Sequence, residues 1–164
     1  MTFKIVLATL CTMILCGCPG KSPNQASTVI NCMVTNVTDG DTIGCTTPEK
    51  KTYIVRLANI DAPEKKQDYG AAAKKHLSDL IYMRVVTIKI SGQDKYERYL
   101  GEVFLGNLNV NKDMVSSGHA WAYREYLKDD QYIALEDSAK SQKFGFWIAP
   151  NPLNPKAFRK SLPN

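Results

Sequence analysis

Two acidic clusters and two arginines are the residues of this chain whose types and spacing could do chemistry. Asp39, Gly40, Asp41 and Thr42 stand together, as do Asp61, Ala62, Pro63 and Glu64. Arg56 lies between Val55 and Leu57, and Arg98 closes the charged stretch Asp94, Lys95, Tyr96, Glu97. Taken singly, Asp-Gly-Asp is an ordinary turn, an acidic segment before proline is an ordinary strand exit, and a strand arginine is usually solvated. Brought to one point, Asp41 and Asp61 would repel each other unless a cation sat between them, and hard carboxylate oxygens suit a hard divalent ion. A tetrahedral zinc centre is poorly served, because His76 and His119 are the only histidines and lack ligand spacing.

Placing those groups requires strands on either side of each cluster. Ile30 to Val37, Thr42 to Cys45 and Tyr53 to Ala58 are β-like runs with turn residues between them, which predicts a three-stranded meander. Gly70 to Met83 changes period and puts Ala73, Leu77, Leu80 and Ile81 on one helical face. Val85 to Ile90 and Tyr99 to Leu105 form a second hairpin around Ser91 to Arg98. Asn111 is the expected cap of a short helix ending at Gly118, and a last helix is expected from about Asp130 to Lys143, with the stretch from Pro150 to Pro155 extended. This α+β order fits a small five-stranded barrel carrying about three helices.

A chain of 164 residues, 44% hydrophobic and 23% charged, is expected to form one compact domain. The formal charge of +5 favours polyanionic partners without identifying one. Collagen, solenoids and coiled coils are excluded, since no such period recurs. Lys4 followed by the apolar run Ile5 to Leu15, too short for the roughly 20 residues of a spanning helix, reads as an export signal over residues 1–17. Leu15, Cys16, Gly17, Cys18 resembles the lipobox of bacterial lipoproteins, which implies acylation of Cys18 and a membrane-anchored protein of the cell envelope, with a secreted or periplasmic protein as the alternative. Residues 18–28 have the composition of a tether, the folded domain is expected over 29–158, and 159–164 form a tail. Cys32 and Cys45 flank the first turn. A hairpin there, in an exported protein, favours a disulfide over two separate buried thiols.

In order and approximate spacing, Asp-Gly-Asp-Thr, the strand arginine, Asp-x-Pro-Glu and Asp-Lys-Tyr-x-Arg resemble the motifs of the staphylococcal nuclease (thermonuclease) family. The resemblance runs from about Cys32 to Phe158 and includes Tyr69-Gly70, Asn111 to Tyr123, and Gly145-Phe146-Trp147 with Asn151-Pro152. It implies an OB-fold barrel and a Ca²⁺-dependent endonuclease acting on DNA and RNA. On that basis Asp41, Asp61 and the backbone carbonyl of Ala62 are the implied Ca²⁺ ligands. Glu64 is the residue that positions water and is proposed as general base, and Arg56 and Arg98 bind phosphate. Tyr96 and Tyr123 line the nucleotide site with Lys95 beside them, while Asp39 and Thr42 stand behind the ligands. Glu97 departs from the glycine common at its position, as Ala71 and Ala72 depart from the polar residues common at the helix start.

Phosphodiester hydrolysis needs charge neutralisation, a placed water and stabilisation of an expanded transition state, and the set has a part for each. Lys65, Lys66, Lys74, Lys75 and Lys95 offer a basic surface, and stacking on tyrosine tolerates any base, so single-stranded or unpaired substrates are expected for a monomer. His76 and His119 are assigned no catalytic part, and Trp121 and Trp147 are expected in the core or against the tail. The alternative is an OB-fold lipoprotein that binds nucleic acid or another ligand without cutting it.

Overall fold

A computed structural model of the protein describes residues 28–127 and 129–163. The expected export signal, the acylated Cys18 and all but the last residue of the tether lie outside the described residues. Among the described residues no helix is long and apolar enough to cross a membrane.

The first three strands form the expected meander: β1 (Thr28–Val37), β2 (Thr42–Thr46) and β3 (Thr52–Leu57), paired antiparallel in order. In β1 the alternation that buries Cys32 and Val34 slips by one residue so that Val37 is buried next. The cause is an irregularity in the β1–β2 register between Val34 and Asn36, where one extra residue turns the strand and bends the sheet. β5 (Val85–Gln93) pairs with β1 on its other side, and β6 (Tyr99–Leu105) pairs with β5. The ring closes because β6 also runs parallel to β3, with Val55 opposite Tyr99 and Leu57 opposite Gly101. The result is a closed five-stranded barrel filled by Val34, Ile43, Val55, Leu57, Ile88 and Val103. Cys32 and Cys45 are joined as a disulfide across β1 and β2, buried within this core.

Helix α1 (Gly70–Ile81) buries Ala73, Leu77 and Ile81, spaced four apart on one face, as its sequence period requires. α2 (Val110–Ser116) begins two residues earlier than expected. Asn109, not Asn111, caps it, its side chain accepting the Lys112 N–H at 3.0 Å. Asn111 is instead fully buried: its oxygen accepts the Val103 N–H at 3.0 Å, and its amide donates to the carbonyls of Ala58 at 2.9 Å and Gly101 at 3.1 Å. It therefore pins the chain leaving β3 to the middle of β6, just before the second acidic cluster. α3 (Gln131–Ser141) follows the expected span within two residues at either end.

Short elements without a sequence signal complete the fold. β4 (Ile60–Asp61) pairs with β8 (Trp121–Ala122), β7 (Leu108–Asn109) pairs with β6, and a 3₁₀ turn covers Gly145–Ile148. α4 (Pro155–Ser161) adds a fourth α-helix at the end of the stretch expected to be extended, and it spans the expected start of the tail. Asn154 caps it by accepting the Lys156 N–H at 2.9 Å, with Pro155 at the first helical turn.

Candidate active site

Gly40 lets the first acidic turn meet the second. A Cβ added there would lie 2.7 Å from the Cβ of Ala62 and 2.8 Å from that of Ala73, so any side chain would push the turn off helix α1 and off the Asp61–Glu64 segment. With the turn seated, the Ala62 N–H donates to Asp41 Oδ2 at 2.8 Å and the Leu57 N–H to the Asp41 carbonyl at 2.8 Å. Asp61 is fixed from the opposite side, since β4 pairs Asp61 with Trp121 and Ile60 with Ala122. Asp41 is 6% exposed and Asp61 2%, a burial that carboxylates tolerate only with compensating charge.

That charge comes first from Arg56. Its Nη2 sits 3.1 Å from Asp41 Oδ2 and 3.2 Å from Asp61 Oδ1, and its Nη1 donates to the carbonyls of Leu57 and Ile60, each at 3.0 Å. Both carboxylates therefore share one guanidinium nitrogen. Arg56, the first of the two arginines implied to bind phosphate, lies between the acids, because its own strand and the following loop offer two carbonyls that lock it there. Burial nevertheless holds the Asp41 carboxyl well above the usual carboxylate range, against the pull of Arg56 and with Asp39 and Asp61 adding repulsion. Asp39 accepts the Asp41 N–H at 3.1 Å, and Thr42 donates its hydroxyl to Asp41 Oδ1 at 3.1 Å, so both stand behind Asp41.

Arg98 reaches the same end of the barrel. Its Nη1 is 3.4 Å from Thr42 Oγ1, while its Nε and Nη2 are each 2.8 Å from Asp94 Oδ2. Asp94 also accepts the N–H groups of Tyr96 at 2.9 Å and Arg98 at 3.0 Å, which shapes the turn. Glu97 in that turn has φ of 62°, the left-handed conformation that glycine adopts without strain, which accounts for the glycine common there. Tyr96 is 67% exposed, with the Lys95 ammonium 5.0 Å and the Arg98 guanidinium 5.5 Å from its ring centroid, an open aromatic platform flanked by cations. Tyr123 is held beside the other face of the site: its N–H donates to the Asn59 carbonyl at 2.8 Å, and burial, followed by the nearby Asp61 charge, raises its phenol pKa.

Glu64 sits in a loop folded back on helix α1. Its N–H donates to Gln67 Oε1 at 3.1 Å, and its carbonyl accepts the Gln67 N–H at 2.8 Å. Gly70 is indispensable to this loop, because a Cβ there would lie 2.0 Å from the Glu64 carbonyl oxygen. Gln67 also donates its side-chain amide to the Leu153 carbonyl, tying the loop to the C-terminal segment.

The residue that sequence reasoning missed is Arg159. From α4 its Nη1 reaches Asp61 Oδ1 at 3.1 Å and Glu64 Oε1 at 2.6 Å, and its Nη2 reaches Asp61 Oδ2 at 3.0 Å. Nothing in a charged C-terminal segment signals a contact 98 residues back along the chain.

Hard-oxygen chemistry fits the donor set, since these buried carboxylates already gather two guanidinium cations, of which Asp41 pairs with only one. Among the described residues no three His, Cys, Asp or Glu side chains are grouped to hold a metal by themselves, so a cation here would draw on backbone oxygen and water besides Asp41 and Asp61. The histidines lie apart from these acids. His76 and His119 stack with ring centroids 4.0 Å apart, His76 Nε2 is 2.8 Å from Asp113, and Ser117 Oγ is 2.9 Å from His119 Nδ1. Trp121 stacks on Phe146 with centroids 3.7 Å apart, in the expected core position.

The sequence is similar to those of known nucleases. The sequence model described as staphylococcal nuclease homologue matches residues 54–149. An uncharacterized endonuclease of Haemophilus influenzae is 42% identical over 129 residues, covering 79% of this chain and 72% of that protein. The micrococcal nuclease of Shigella flexneri is 38% identical over 142 residues, with 80% and 81% covered. A protein of Escherichia coli named ParB is 34% identical over 142 residues, with 80% of each covered.

Proposed function

The chain belongs to the staphylococcal nuclease family, and we propose that it is a Ca²⁺-dependent endonuclease hydrolysing phosphodiester bonds of DNA and RNA. The observation that carries this reading is the meeting of Asp41 and Asp61 on one guanidinium, with Glu64 and Arg98 at the same end of the barrel. Asp41, Asp61 and the Ala62 carbonyl would hold the ion. When bound, Ca²⁺ supplies a positive charge that neutralises a phosphate oxygen and polarises the phosphorus for attack.

The chain's own residues supply the rest. Glu64 orients the attacking water and takes its proton, a contribution of roughly 10²- to 10⁴-fold. Arg98 donates to the phosphoryl oxygens as charge grows on them, with Asp94 fixing its plane. Arg56 keeps two buried carboxylates together, and its positive charge lies at the end of the barrel where charge develops on the phosphate. Tyr96, with Lys95, gives an unpaired base a face to stack on, which supports a preference for single-stranded or unpaired regions. The leader sequence supports export and anchoring through Cys18, which intact-mass measurement of the mature N-terminus reads directly.

The deciding experiment is cleavage of labelled single-stranded DNA and RNA by the purified protein with Ca²⁺, then EDTA, then Ca²⁺ again. Cleavage should stop with EDTA and return with Ca²⁺. Undiminished cleavage after the metal is stripped would sink the metal mechanism, and binding without cleavage under every condition would leave the non-catalytic OB-fold reading in its place.

A further inference from the structure

We propose that Arg159 is a tethered counter-cation that competes with the divalent ion for Asp61, so that helix α4 sets the metal affinity of the site. The inference rests on the reading of Asp61 as a metal ligand. Its basis is the occupancy of that carboxylate: Oδ1 takes Arg56 Nη2 at 3.2 Å and Arg159 Nη1 at 3.1 Å, and Oδ2 takes Arg159 Nη2 at 3.0 Å. A metal ion approaching Asp61 meets oxygens already engaged, and a second positive charge beside them repels it. The same guanidinium holds Glu64 at 2.6 Å, so the group assigned to water is engaged along with the ligand.

Of the two arginines on Asp61, only one is placed to leave. Arg56 is wedged by the Leu57 and Ile60 carbonyls inside the barrel wall, its side chain 12% exposed. The Arg159 side chain is 40% exposed and projects from a seven-residue helix near the end of the chain. Further attachments cluster at the start of that helix: the Gln67 amide on the Leu153 carbonyl, buried Pro155, and the Lys156–Glu125 ion pair. These hold the start of the helix, and the Arg159 ion pairs hold its later part, so release of the side chain from Asp61 and Glu64 loosens α4. Metal binding therefore displaces Arg159 and retains Arg56.

Calorimetric titration of Ca²⁺ into the full chain tests this with Arg159→Gln, and with Lys160→Gln as a variant that loses the same charge from an exposed neighbouring position. Arg159→Gln should bind Ca²⁺ about tenfold more tightly than the wild type, as expected for removing one charge-assisted competitor, and Lys160→Gln should change affinity less than about twofold. Hydrogen exchange on the wild type needs no variant: saturating Ca²⁺ should speed exchange in residues 155–161. Equal affinities in the two variants with Ca²⁺ binding intact, or exchange in α4 unmoved by Ca²⁺, overturns the inference alone. The absence of Ca²⁺ binding in every protein overturns the metal reading and this inference with it.

Discussion

Arg98 and Glu97, neighbours in one turn, have opposite expected effects when replaced. Arg98 is partly exposed, and its contacts are Asp94, the Thr42 hydroxyl and the Tyr96 ring, so Arg98→Ala removes the donor proposed to bind phosphate without opening the core. Turnover should fall by about 10²-fold or more while the melting temperature moves little. Unchanged turnover would remove Arg98 from the mechanism. Glu97 sits exposed with φ of 62°, a conformation that costs a side-chain-bearing residue about 1 to 2 kcal/mol. Allowing for glycine's greater freedom in the unfolded chain, Glu97→Gly should stabilise the protein by about 1 kcal/mol in urea denaturation. A loss of stability would show that the Glu97 side chain makes a contact outweighing the backbone strain.

Between elements, the β4–β8 ribbon is what holds Asp61, and buried Glu136 of α3 is what holds β8. Glu136 accepts the Ala122 N–H at 3.1 Å and pairs with Arg124 at 2.6 Å and Lys140 at 2.7 Å. Burial alone would raise its carboxyl pKa, but the hydrogen bonds from Arg124 and Lys140 outweigh it and hold the pKa below the ordinary 4.5. A carboxylate with a depressed folded pKa adds stability that is fully present above its unfolded value and is lost as pH falls through the folded one. Glu136→Gln should therefore cost about 2 kcal/mol at neutral pH and flatten the acid limb of the stability profile below about pH 4.5. Parallel acid limbs in the two proteins would remove Glu136 as their source. The limits of sequence reading lie at this same scale. Hairpins and α1 were legible because burial imposes period two or a four-residue spacing on runs of five residues or more. Two-residue strands such as β4 and β8 carry no period at all, and their pairing is set by a buried glutamate with no local signal. Asn111 lost the capping position to Asn109 because both are capping residues two positions apart, and only the packing against β6 decides which side chain turns inward. The acidic and basic constellation was legible as motif chemistry. Arg159 was not, because its contacts with Asp61 and Glu64 are wholly tertiary.

At the level of the whole molecule, one covalent link and one seam define the barrel. The Cys32–Cys45 bond joins positions 13 apart in sequence across the first hairpin. A loop of that size contributes about 3 kcal/mol on the chain-entropy account, so protein kept reduced with a thiol reductant should be less stable by about that margin in urea denaturation. An unmoved midpoint would mean the hairpin is equally restrained without the bond. The seam is the parallel contact of β3 with β6, which joins residues 55 and 99 across the interposed helix α1 and strand β5. It brings Arg98 alongside Thr42, whereas the acids and Arg56 belong to the earlier strands. A chain that ends before β6 lacks both Arg98 and the strand that closes the barrel, and one that ends before β8 still lacks the partner that fixes Asp61, so the acids and the arginines meet only when nearly the whole fold is present.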